Sequence, residues 1–385
     1  MKGSPIGTLV PIAGTDGRTG EHYEHCAYLP APLPPSVELS SATWTAVVYA
    51  EAALARLDQA ARQMPEPGLL HNTTLRREAQ STSALEGTYA PIEEILGSDA
   101  EERMGLSTEL REILNYVATA ERAFAWIAER PLTLGLLESL QGLLVKGTPG
   151  EYRDAGRLRE RQVFIGSERT PIARARFVPA PHGDRLRAGL EAWAAWIDGS
   201  HPAVPPVAQA ALAHYQFESL HPFSDGNGRL GRLVIVLQLM RLGVLRYPLL
   251  VVSPWFEARR DQYQAELLAL SRTGNWDAWV CFFVTGVGAS ATSTHERVDS
   301  MLALQAEMLR EVRDAGVSGV AERLAGELIG SPVLRASQVR ARHGVTHQGA
   351  MNALRRLAEL GIVMEQPRRG GVSFIAPRVV ALLSR

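Results

Sequence analysis

Cysteine is nearly absent: Cys26 and Cys281 are the only two in 385 residues. Two thiols make no disulfide framework and too few ligands for a thiolate zinc site. Net charge is missing too. Forty Lys and Arg against 41 Asp and Glu leave −1, so no bulk field draws the chain to nucleic acid or to a membrane surface. No long apolar run occurs, and the first residues lack a basic stretch followed by an apolar one. Neither a membrane-spanning helix nor a secretory leader is therefore expected. Together these absences make a soluble, cytoplasmic protein the expectation. What is plentiful is apolar residue, 46% of the chain. That is enough for a packed core and excludes global disorder. The length suits two or three domains rather than one, and no internal repeat is visible.

Residues 1–35 are rich in Gly and Pro and read as an irregular arm. Helical spacing of apolar residues runs from Ser40 to Met64, and a second helix is expected from about Thr74 to Leu85, stopped by Gly87. Residues 108–129 alternate apolar and charged at a period near 3.6, and "LTLGLLESLQGLLV" continues as helix. Two short β-like runs follow, Gln162–Gly166 and Ala175–Val178, joined by a Ser- and Pro-containing loop that suggests a hairpin. Helices resume and include "LGRLVIVLQLMRLGV", apolar on nearly all sides, as at a domain centre. Cys281, in "WVCFFV", is expected to be buried and inert. Residues 319–385 carry ten Arg and four Glu, so 10 − 4 = +6. Their pattern of helices followed by strand, turn and strand resembles a winged helix-turn-helix. The expected fold class is thus mainly α with a short β-hairpin. Its parts are an N-terminal arm and helical region (1–107), a core (108–288), a connecting helix (289–318) and a winged helix (319–385).

The stretch "HPFSDGNGRLGR", 221–232, concentrates the chemistry. Pro222 disfavours helical geometry at His221, while Gly226 and Gly228 bracket Asn227 and permit positive φ. Such a path points successive N–H groups into an anion nest, and a helix N-terminus directly after it adds aligned donors. Arg229 and Arg232 are badly placed near a helix N-terminus, costing ~0.3–1 kcal/mol each, unless an anion sits there. With phosphate in the nest they become forked ligands. A neutral His221 can take a hydroxyl proton, and Asp225 beside phosphate suits magnesium. A zinc pair is not expected, because no third ligand is near. These residues reach nucleotide chemistry with a His base and leave open which phosphorus is attacked.

At these residues the sequence closely resembles the Fic family, whose signature is HPFx(D/E)GNGRxxR. His221, Pro222, Phe223, Asp225, Gly226, Asn227, Gly228, Arg229 and Arg232 all match. "GRLRERQVFIG" and "RFVPAP" resemble the family's flap, and the helices from about 108 to 285 fit its helical core. The resemblance implies transfer of AMP from ATP to a Ser, Thr or Tyr hydroxyl of a protein, the chain itself included. By position, His221 is the general base, Asp225 holds Mg2+, Asn227 and neighbouring backbone N–H groups hold the α-phosphate, and Arg229 and Arg232 hold the outer phosphates. Phe223 anchors the loop. The ATP-contacting set is then Gly226, Asn227, Gly228, Arg229, Leu230, Gly231 and Arg232. Among the later aromatics (Trp255, Tyr263, Trp276, Trp279), Tyr263 is the one placed at the adenine pocket. Flap residues Gln162, Val163, Phe164, Ile165 and Gly166 are expected to pair with an extended target segment through main-chain bonds.

"STSALEG", 81–87, resembles the family's inhibitory motif (S/T)xxxE(G/N) through Thr82, Glu86 and Gly87. A carboxylate at a helix C-terminus and an arginine near an N-terminus are each disfavoured alone and satisfy each other as a pair. The resemblance implies that the arginine is Arg232 and that Glu86 on it keeps the γ-phosphate from seating. Expected partners are ATP, a hydroxyl-bearing protein target and a second copy in a homodimer; no membrane is expected. DNA, through Arg355, Arg356, Arg368 or Arg369, is the less favoured role of the winged helix, since Gln348 and Asn352 are its main base-reading candidates. Three rivals stand beside adenylylation. A Fic phosphotransferase carries Lys at the second Gly, where this chain has Gly228. AMP removal would use Glu86 to orient water. A winged-helix DNA regulator would use the Fic domain only to sense nucleotide.

Overall fold

The computed structural model describes all residues except 2, 17–18, 65, 67, 99–104, 167–171, 369–370 and 385. Its first element corrects the expectation of an irregular arm. Strands β1 (Gly7–Thr15) and β2 (His22–Pro30) form an antiparallel hairpin in register from Gly7↔Pro30 to Thr15↔His22. Pro11 is tolerated because β1 is an edge strand. The hairpin backs the flap: Tyr28 N–H donates to Val178 O at 2.8 Å, and Ala27 packs with Ile172 and Val178 in a small apolar cluster joined by Phe164.

The body is helical. Its first helices are α1 (Ser41–Gln63), α2 (Gly68–Leu85), α3 (Ile92–Gly97), α4 (Thr108–Ile127) and α5 (Leu134–Leu144). The chain continues through α6 (Asp184–Asp198), α7 (Pro206–Leu220), α8 (Asn227–Arg241), α9 (Ser253–Glu257), α10 (Arg260–Thr273) and α11 (Trp276–Asp314). Side-chain caps mark several starts: Ser40, Ser107 and Thr133 each accept from a first-turn N–H, as the preference for hydroxyls at N-caps requires. The centre is α7 and α8. Residues Asn227–Leu239 of α8 are all buried, which is why its sequence shows no polar face. Helix α2 begins six residues earlier than Thr74, at Gly68, and packs against α4 and α9. Helix α11 is unbroken, so a boundary at 288 falls inside one helix. Cys281 on it is half-exposed, not buried.

The flap is looser than a hairpin. One antiparallel bridge, Ile165↔Phe177, joins its two runs, held by Ile165 N–H to Phe177 O and Arg176 N–H to Ile165 O, both 2.8 Å.

The C-terminal unit consists of α12 (Val320–Glu327), β3 (Val333–Arg335), α13 (Ala336–His343), α14 (His347–Glu359), β4 (Met364–Arg368), β5 (Gly371–Ile375) and α15 (Pro377–Leu383). Its sheet order is β3-β5-β4. Arg369 lies outside the described residues. The unit sits on α11 through Arg378, which pairs with Glu311 at 2.6 Å. It also holds the start of α2: Thr73 Oγ1 donates to Ile329 O at 3.2 Å, and Asn72 Nδ2 to Gly330 O at 3.1 Å. Gly330 makes this approach possible, because a Cβ there would overlap Leu69 O.

Candidate active site

Helix α7 ends at Leu220, and His221 turns the chain with a left-handed backbone, φ 50°. For a non-glycine residue this costs ~1–2 kcal/mol, so the surroundings must hold it. Gly226, φ 83°, opens α8 with no side-chain cap. Between them Phe223 is fully buried. The Asn227 carboxamide braces the loop, accepting from Phe223 N–H at 2.9 Å and donating to Phe223 O at 2.7 Å. Its side chain is therefore committed to the loop itself. The first N–H groups of α8 have no intrahelical acceptor, the arrangement that suits an anion at a helix start.

Both arginines of the motif are buried and paired. Arg232 donates from Nε to Thr82 Oγ1 at 2.7 Å, and from Nη2 to Thr82 O at 2.9 Å and Glu86 Oε1 at 2.6 Å. A Cβ on Gly228 would overlap Glu86 Oε1, so the carboxylate lies directly over the α8 N-terminus. Burial alone would raise the Glu86 carboxyl; Arg232, with help from Arg229 and His221, holds it below the usual range. Burial opposes the Arg232 charge, but the Glu86 carboxylate more than offsets it and holds the guanidinium above its ordinary range. Arg229 pairs with Glu112 at 3.3 Å and Asp225 at 3.2 Å. Gly87, φ 91°, ends the turn after α2.

His221 lines a cleft of about 640 Å³ together with Glu86, Gly228, Arg232, Glu218, Tyr263 and the flap residues Phe164, Ile165 and Gly166. Burial first, and the Arg159 charge second, push the imidazole down to about 4; it is neutral near pH 7. Its Nδ1 is buried and 4.0 Å from Glu218 Oε2, which leaves Nε2 as the nitrogen available to the cleft. Burial raises Glu218 to about 7. Tyr263 is buried, with its hydroxyl 2.7 Å from His214 Nε2. His214 is itself held neutral, near 3, mainly by burial. Asp225 is partly exposed beside the loop, and its backbone carbonyl accepts from Gln141 Nε2 at 3.1 Å. Gly150 makes room for the Asp225 carboxylate, since a Cβ there would overlap Oδ2.

Of the expected residues, His221, Gly228, Arg232, Tyr263, Glu86, Phe164, Ile165 and Gly166 line the cleft, Thr82 and Arg229 hold their partners beside it, and the Asn227 side chain braces the loop. Leu230 is fully buried in the core rather than in the cleft. Gly231 serves clearance: a Cβ there would overlap Glu218 Oε1. From the flap, the Gln162 amide bonds to Val163 O and Pro179 O, both at 3.0 Å. Sequence reasoning missed Glu218, Glu112 and Arg159. Glu218, one turn before His221, was within reach of helical spacing; the other two carry no local signal.

Comparison with known proteins agrees with this geometry. The family model described as Fic/DOC family N-terminal matches residues 44–125, and that described as Fic/DOC family matches 131–239. A protein adenylyltransferase Fic from Nematostella vectensis is 33% identical over 169 residues, covering 42% of this chain and 34% of the relative. One of the same name from Drosophila yakuba is 33% identical over 130 residues, covering 34% of this chain and 23% of the relative. The chain thus matches only about a third or less of these relatives' length. In fold, the crystal structure of a Fic family protein from Desulfovibrio desulfuricans G20 aligns over 89% of this chain and 98% of its own, with a TM-score of 0.56 at 22% identity. With the two matched regions adjoining and the motif loop intact between α7 and α8, the chain belongs to the Fic/DOC family.

Proposed function

We propose that the chain is an autoinhibited protein adenylyltransferase that moves AMP from ATP to a protein hydroxyl. The observation that carries this reading is the Glu86 carboxylate over Gly228, bonded to Arg232 at 2.6 Å. An anionic oxygen already occupies the place where the motif expects phosphate, so the cradle suits anions and is guarded by one. The relatives' name, protein adenylyltransferase, supports the same chemistry.

In this reading the first-turn N–H groups from Asn227 onward hold the α-phosphate, and Arg229 and Arg232 hold the outer phosphates once Glu86 withdraws. His221 Nε2 takes the proton of the target hydroxyl. The hydroxyl oxygen then bonds to the α-phosphorus, the bond to the β-phosphate oxygen breaks, and pyrophosphate leaves. A neutral imidazole is the form this step needs. Tyr263 borders the nucleoside end of the cleft. Asp225 fits magnesium: it is a single, partly exposed carboxylate beside the nest, and magnesium commonly takes one or two carboxylates with phosphate and water. When bound, the ion neutralises phosphate charge. The flap, stiffened from behind by β1 and β2, presents Ile165 and Gly166 to an extended target segment. The C-terminal unit reads as a winged helix that packs against the rest of the chain or presents targets.

The test is intact mass after incubation with ATP and Mg2+, for the wild type and for Glu86→Gly. Addition of one AMP residue to the chain or to an added protein supports the reading. Addition of phosphate, or no addition by either form, overturns it.

A further inference from the structure

Arg159 is among the largest fully buried side chains, 1% exposed, yet none of the described carboxylates pairs with it. Burial pulls its guanidinium down to about 9, still charged at neutral pH. A buried charge without a counter-ion is costly unless its hydrogen bonds are satisfied. Here every partner is a backbone carbonyl. Nε donates to His221 O at 2.8 Å, Nη2 to Leu220 O at 3.3 Å and to Ala180 O, and Nη1 to Arg161 O at 3.1 Å. The Arg159 backbone N–H adds Pro222 O at 3.0 Å. Three successive carbonyls, 220–222, thus end on one residue.

Those carbonyls lie where α7 runs out, where the helix leaves its last acceptors unpaired and a cation is favoured. They also bracket the left-handed His221, a conformation that holds only when its surroundings impose it. Ala180 follows the returning run of the flap, so the same guanidinium ties the flap root to the catalytic loop.

We propose that Arg159 is the positioning residue of the catalytic base, fixing the His221 backbone and ring from behind through the carbonyls of residues 220–222. This rests on the adenylyltransferase reading in assigning His221 as the base. Arg159 acts on the ring electrostatically as well. Two charged groups face His221 where it titrates: Glu86 from the turn after α2 and Arg159 from the flap root, while Glu218 of α7, raised to about 7, is already protonated there. Glu86 favours an added proton, while burial and Arg159 oppose it. Removing the Arg159 charge should therefore raise the imidazole from about 4 toward its ordinary value.

The experiment uses the full chain carrying Glu86→Gly, alone and with Arg159→Lys or Arg159→Gln. Lys keeps the charge but loses the fork; Gln loses the charge. Both should lower kcat about tenfold or more, with KM for ATP within about twofold, because the anion nest belongs to α8. Only Arg159→Gln should move the acid limb of kcat to higher pH. NMR titration of the His221 imidazole reads the same shift independently of transfer. A merely structural role would reduce the folded fraction and leave the limb in place. If Arg159→Gln does not fold, Arg159→Lys decides: parental kcat overturns the proposal. Unchanged kcat in either folded variant, or an unmoved imidazole titration in folded Arg159→Gln, also overturns it. If the Glu86→Gly parent itself transfers no AMP, the functional reading fails, and the NMR titration still judges Arg159.

Discussion

His221 and Asp225 stand close together in the chain, but the structure gives them different neighbours, so their substitutions should fail differently. In the proposed reading His221 contributes a proton-accepting ring and no donor to the anion nest. His221→Ala in the Glu86→Gly background should abolish transfer, by at least the ~10²–10⁴-fold typical of a lost general base, while calorimetry still detects ATP binding. Loss of binding, or transfer at the parental rate, contradicts the assignment. Asp225 pairs with Arg229 at 3.2 Å and in the proposed reading meets the phosphate-bound cation. Asp225→Ala should remove most activity and flatten the dependence of the remainder on magnesium concentration. A normal magnesium titration would place the metal elsewhere. At this scale the sequence was legible in what it brings together: Glu86 does bond Arg232, and His221 lines the same cleft. It was opaque where burial and rotamer decide. Asn227 spends its amide on Phe223, and Leu230 turns into the core. Arg159, inside "GRLRER", looks like any surface arginine until its carbonyl partners are seen.

Among the elements, α2 leads into the proposed brake, and its ending places the Glu86 carboxylate. Leu85 closes the helix, Glu86 N–H still bonds Ser83 O at 3.0 Å, and Gly87 leaves with φ 91°. A side chain at Gly87 meets open space but must adopt a backbone conformation that costs ~1–2 kcal/mol. Gly87→Ala should therefore lower stability by about that amount in a denaturant titration and loosen Glu86. Basal transfer should rise severalfold, short of Glu86→Gly. Lowered stability with no rise in transfer would show that the turn does not aim the carboxylate. The helices were readable because caps and 3.6-residue periodicity are local signals. The β1–β2 hairpin was not, because the Gly and Pro scattered through residues 1–35 suggested an irregular arm, although the two strands themselves hold only two of each. In the flap, β-branched and aromatic runs suggested the two antiparallel segments, which among the described residues are joined by the Ile165↔Phe177 bridge.

Across the whole molecule, α2 is a strut between two places. Its first turns are bonded to residues 329–330 of the C-terminal unit, and the residues at its far end hold Arg232. Glu78, midway along it, is buried against Ser253, accepting its N–H at 2.9 Å. If a shift at one end of α2 reaches the other, loosening its start should loosen Glu86. Asn72→Ala with Thr73→Ala should therefore raise basal transfer in the otherwise native chain. The same pair placed on Glu86→Gly should add nothing, because the contact it weakens is already gone. Additive effects in the two backgrounds would mean that the C-terminal unit does not act through the brake.

The most direct test of the account compares rates of AMP incorporation from ATP labelled at the α-phosphate, for the native chain, Glu86→Gly, and Glu86→Gly with Arg232→Ala. Glu86 is tethered, so it competes with ATP at an effective concentration on the order of millimolar or higher. Glu86→Gly should accelerate transfer by about a hundredfold, equivalent to roughly 2.7 kcal/mol. Arg232→Ala should erase that gain, because the partner released for the γ-phosphate is gone. If folded Glu86→Gly incorporates label no faster than the native chain, Glu86 is only the residue that follows a helix, and the proposed autoinhibition is wrong.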